Sequence, residues 1–73
     1  MKKVIDSELV VGKSYYDIDD AENGVLLTFI GEGVRTINFK YHPDSTTRCY
    51  FPDPKTGIIE FEKIDNLYWY EKK

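Results

Sequence analysis

Six tyrosines and a run of acidic side chains are the residues here whose type and spacing could do chemistry. Tyr15, Tyr16, Tyr41, Tyr50, Tyr68 and Tyr70 fall at the start, middle and end of the chain, and Tyr15 and Tyr16 lead straight into Asp17 and Asp19. If one phenol from each region met at the rim of a sheet beside a carboxylate, the rings would form a cage for a methylated lysine or arginine, held by attraction of the cation to the ring faces. The commoner arrangement is a set of cross-strand aromatic pairs that stabilise a sheet without any ligand. The stretch from Asp17 to Asn23 also offers hard oxygen ligands, but its spacing does not suit calcium. A calcium loop begun at Asp17 needs an oxygen ligand at its fifth position, glycine at its sixth and glutamate at its twelfth, where this chain has Ala21, Glu22 and Thr28. A solvated acidic turn is expected instead, with no metal.

Nucleophiles are present without the groups that would activate them. Cys49 is the single cysteine and His42 the single histidine, so neither an intrachain disulfide nor a zinc site of Cys and His ligands can form. Cys49 alternates with Thr47 and Phe51 and reads as a small buried hydrophobe, His42 lies before Pro43 in a polar loop, and Ser14 and Ser45 have no evident base. The glycines of Gly31-Glu32-Gly33 precede no helix and cannot cradle a phosphate as a glycine-rich loop does. No catalysis and no cofactor are expected.

The elements that must position these residues are strands. Residues 25–30 are apolar on both faces and suit a central strand, and residues 34–41 alternate Arg35, Ile37, Phe39 and Tyr41 against Val34, Thr36, Asn38 and Lys40. Asn23-Gly24 is a reversal signal that joins a strand at residues 14–18 to the central one, and Gly31-Glu32-Gly33 reverses the chain again. The sequence Pro52-Asp53-Pro54-Lys55-Thr56-Gly57 is a turn that predicts a hairpin of residues 47–51 with residues 58–62. Residues 63–66 predict one 3-10 turn before a last strand at residues 67–71. In that strand Leu67, Trp69 and Glu71 share one face and Tyr68 and Tyr70 the other. The indole is expected inside and the two phenols outside, because tyrosine keeps its hydroxyl in water at little cost.

An all-β chain of meandering strands, a short turn and a last strand resembles the SH3-like small β-barrels. The lead-in Leu9-Val10-Val11-Gly12-Lys13-Ser14-Tyr15 is similar to the hydrophobic-Gly-x-x-aromatic entry of Tudor-like and translation-factor-type barrels of that superfamily. The resemblance covers residues 9–71 and implies a five-stranded closed barrel in a single domain spanning 1–73, with residues 1–8 the most prone to fray. So short, acidic and tyrosine-rich a chain also looks like small proteins of bacteriophages. That likeness implies an adaptor or an inhibitor of a host protein.

Composition narrows the partner. With 41% hydrophobic, 32% charged and 15% aromatic residues, the chain is globular and builds its core from rings. The lone cysteine fits a reducing, cytoplasmic setting, and neither a signal peptide nor a membrane span is read from the sequence. A net charge of −3 opposes a broad phosphate-binding surface. A protein partner is therefore expected, contacted by Tyr15, Tyr16, Tyr50, Tyr68 and Tyr70, with Asp17, Asp19 and the acidic turn favouring a basic surface. Single-stranded nucleic acid stacked on Tyr41 beside Arg35, Lys40 and Arg48 is the alternative, and a structural subunit that pairs through its edge strands is a third.

Overall fold

The computed structural model describes residues 1–64 and 67–72. Six strands form one antiparallel sheet: β1 (Lys3–Ile5), β2 (Ser14–Tyr16), β3 (Leu26–Glu32), β4 (Thr36–Tyr41), β5 (Ile59–Glu62) and β6 (Tyr68–Glu71), in the spatial order β1-β6-β2-β3-β4-β5. The all-β expectation holds. The closed five-stranded barrel does not, because β1 and β5 are the two edges of an open sheet. The unanticipated strand, β1, comes from the segment expected to fray: Val4 lies opposite Trp69 and is buried, so its burial holds the N-terminal residues on β6.

Period-two alternation sorts the side chains onto two faces. Val4, Trp69, Tyr15, Leu27, Phe29, Ile37, Phe39 and Ile59 share the face that forms the core. Although one sheet, it curls tightly. In a flat sheet β6 and β5 would stand four spacings, about 19 Å, apart. Yet the Trp69 ring centroid lies 5.1 Å from that of Phe61 and 4.5 Å from that of Phe39. The aromatic side chains thus bridge a gap that backbone hydrogen bonds leave open.

The turns differ from expectation in one place that matters. Residues 47–51 form no strand, and β5 pairs with β4 instead, leaving residues 42–58 as a long connection. Its far end does fold as its residues dictate: the Asp53 carboxylate accepts the Lys55 and Thr56 N–H groups, and Gly57 takes a left-handed φ of 72°. Gly31, expected in a tight reversal, sits within β3 at φ 143°, where the pairing with β4 shifts register. The chain reverses one step later, through the Gly33 N–H bond to the Thr36 carbonyl. A 3-10 turn occurs at Asp6–Glu8; the one expected at residues 63–66 lies partly outside the described residues.

Candidate functional site

The sheet face turned away from the core gathers part of the tyrosine set. Tyr16 on β2 lies opposite Tyr70 on β6, Tyr70 lies opposite Lys3 on β1, and Tyr68 lies opposite Ile5. Adjacent strands set such opposed side chains within about 5 Å of one another, so these residues form one surface. Tyr68 is 38% exposed and Ile5 45%, while Trp69 between the two phenols is 2% exposed with its indole N–H donating to Asp6 Oδ1 at 3.1 Å. The register expected for the last strand is therefore the one found. The Lys3 ammonium stands 4.4 Å from the Tyr68 ring centroid, giving this surface a cation at its margin. Sequence reasoning missed Ile5 and Lys3 because it left residues 1–8 without a strand.

Tyr15 does not belong to this surface. It is 0% exposed, faces the core, and its hydroxyl accepts the Val10 N–H at 2.9 Å. Its parity with Leu27, directly opposite on β3, places it inside, and adjacent Tyr16 consequently outside.

Tyr50 and Asp17 are brought together, in a structural role. The Tyr50 hydroxyl donates to Asp17 Oδ2 at 2.7 Å, and Asp17 Oδ1 accepts the Val25 N–H at 2.7 Å. The Tyr41 hydroxyl donates to the Tyr50 carbonyl at 2.6 Å and accepts the Tyr50 N–H at 2.8 Å. Tyr50 also packs edge-on against Phe61, with centroids 5.0 Å apart. These contacts pin the 42–58 connection to the sheet. Burial first, then the hydrogen bond and charge of Asp17, push the Tyr50 phenol well above its ordinary value of 10.0. The folded protein thus holds this proton more tightly than the unfolded chain, so the associated stability is complete below the unfolded value and is lost as pH rises beyond it. From about pH 10 upward, Tyr50→Phe should flatten the alkaline fall in Tm relative to wild type; parallel curves would contradict the contact.

The acidic turn is largely occupied with its own backbone. The Asp20 carboxylate accepts the Glu22 and Asn23 N–H groups and the Asn23 amide, which hold it below the usual carboxylate range, the Asn23 side chain having the largest effect. Asp19 Oδ1 lies 3.4 Å from the Met1 amino group. Across the sheet, Lys13 and Glu71 pair at 3.0 Å, which lowers the Glu71 carboxyl and raises the Lys13 ammonium from their ordinary values. Among the described residues no three His, Cys, Asp or Glu side chains converge to hold a metal ion. The Ser14 hydroxyl lies 3.2 Å from that of Thr28, and His42 Nδ1 accepts the Asp44 N–H at 3.0 Å.

The candidate nucleic-acid set is divided. Arg48 stacks over Tyr41 at 4.6 Å, but Lys40 precedes Tyr41 on β4 and points to the opposite face. Arg35 lies beyond the other end of the strand, about 20 Å from Tyr41 at strand spacing. Cys49, expected to be buried, is exposed, because the strand that would have turned it inward does not form. A thiol reagent should therefore label native Cys49 in full without denaturant; labelling only after unfolding would contradict this placement.

No protein-family model matches the chain, and no curated protein or solved structure matches it either. Among the described residues no helix is long and apolar enough to cross a membrane.

Proposed function

We propose that this chain is a non-enzymatic binding module that docks on a protein partner through the outer face of β1, β6 and β2. The observation that carries the reading is the alternation in β6, where Tyr68 and Tyr70 are turned outward beside Tyr16 and Ile5 while Trp69 is withdrawn into the core. Tyrosines supply large contact area with few rotatable bonds and keep a polar tip in water, which suits a surface exposed before binding and buried after it. Asp19 and Glu22, at the exposed acidic turn, favour a partner with basic residues at its rim, since rim charges steer encounter and register. Of the earlier contact set, Tyr16, Asp19, Tyr68 and Tyr70 are kept; Tyr15, Asp17 and Tyr50 serve the fold.

The order β6-β2-β3-β4-β5, with the last strand returning beside the first of a meander, supports an SH3-like chain path without barrel closure. A cytoplasmic adaptor or inhibitor of a host protein, of the kind small phage proteins provide, is the biological setting that this reading takes. Affinity capture from host lysate with wild type and with the Tyr68→Ala/Tyr70→Ala variant is the test. Loss of a specific partner by the variant, with its cooperative unfolding transition retained, is expected. Equal recovery by both proteins would remove this face from consideration.

A further inference from the structure

The two edges of the sheet are not equivalent. On β1 the edge is three residues long, and its outward Ile5 N–H donates to Glu8 Oε1 at 2.9 Å, so one of its few free donors is already occupied. On β5 the Lys63 N–H donates to the Arg35 carbonyl at 2.9 Å in register with the β4 pairing, and this fixes the alternation. Ile59 and Phe61 direct their main-chain groups to β4; Glu60 and Glu62 direct theirs away from the sheet. The most exposed large apolar side chains flank this free edge. Phe51, 98% exposed, lines a groove with Ile58 and Glu60 at one end, and Val34, 95% exposed, lines another with Glu62 and Lys63 at the other.

We propose that the free edge of β5 receives an extended segment of a partner protein that carries lysine or arginine at alternate positions, adding one more strand to the sheet. Main-chain donors and acceptors of Glu60 and Glu62 provide the pairing, and their carboxylates select the basic side chains opposite them. Intervening apolar side chains of the segment fall on the other face, beside half-buried Phe61, and its ends lie over Phe51 and Val34. Asp53 adds negative charge at the Phe51 end; of the basic side chains lining the two grooves, Lys63 is engaged by Glu32 at 3.1 Å and Arg35 is the other. A second copy of this chain is a poor occupant, since antiparallel self-pairing would set glutamates against glutamates. The inference does not rest on the tyrosine face: it uses the main-chain edge at Glu60 and Glu62, whereas Tyr16, Tyr68 and Tyr70 are carried on β2 and β6.

Isotope-labelled full-length chain titrated with a capped heptapeptide alternating valine and lysine tests the proposal, with the glutamate-for-lysine peptide as comparison. Amide shifts centred on Glu60 and Glu62 are expected, with the lysine peptide binding at least about tenfold tighter and weakening as salt is raised. The Glu60→Lys/Glu62→Lys variant should reverse the preference. Glu60→Pro, which removes an outward N–H without breaking a bond to β4, should weaken binding by about tenfold. Because the proline variant can disturb the strand, the charge reversal decides the matter if that variant does not fold. Equal affinity for both peptides, no saturable shift, shifts centred on Tyr16, Tyr68 and Tyr70, or self-association through β5 would each overturn it.

Discussion

Trp69→Ala is expected to leave no cooperative unfolding transition in urea, followed by circular dichroism at room temperature. Truncating a buried tryptophan removes about 3–5 kcal/mol. A single core in a chain of 73 residues supplies about as much in total, roughly 3–5 kcal/mol. The indole is also the contact that draws β6 against Phe39 and Phe61, so its loss removes the interaction that curls the sheet as well as the buried area. Tyr68→Ala is the matched control, because it deletes a neighbouring ring from the exposed face and should change stability by about 1 kcal/mol or less. A folded, cooperative Trp69→Ala protein would mean that the core does not depend on that bridge.

Asp17→Ala is expected to destabilise by about 2 kcal/mol, because it strips the partner from the Val25 N–H and from the Tyr50 hydroxyl together. That value is the lower part of the range for bonds to a charged acceptor, chosen because the carboxylate is only half-buried. Tyr50→Phe removes one of the two bonds and should have about half the effect. The double variant should then be less destabilised than the two single changes added, since both act on the same bond. Amide hydrogen exchange should also rise across residues 42–58, which this network holds against the sheet. Additive effects, or unchanged exchange in that segment, would show that the connection is held by other contacts.

The parts of the fold that the sequence made legible are those where local pattern and tertiary environment agree. The alternation of residues 67–71 placed the indole and the phenols on the faces they occupy, and the apolar run of residues 25–30 anticipated the buried β3. Turn chemistry was equally direct at Asp53 and Gly57. What was not legible depended on long-range choice. Residues 47–51 alternate like a strand, but Tyr50 is held by Tyr41, from the same β-rich half, and by Asp17, far away in sequence, so the segment becomes an anchored loop that leaves Phe51 and Cys49 exposed. Lys3–Ile5 is too short to announce itself and becomes a strand only because β6 offers an edge on which Val4 can be buried.

The candidate site was half legible for the same reason. Adjacent tyrosines in a strand must face opposite ways, so Tyr15 and Tyr16 could not both be contact residues, yet period two alone does not say which is inside. Pairing with Leu27 decides it. The basic set is divided for a similar reason, since Arg35, Lys40 and Arg48 are near one another in sequence but belong to different faces and ends of the sheet.

The two-sidedness of the sheet is the claim on which the binding proposal rests, and a soluble paramagnetic probe read on the aromatic proton resonances tests it most directly. Strong broadening of the Tyr68 ring together with protection of Trp69, Tyr15 and Phe39 is the predicted result. Broadening of the Trp69 indole, or protection of Tyr68 in the free protein, would contradict it.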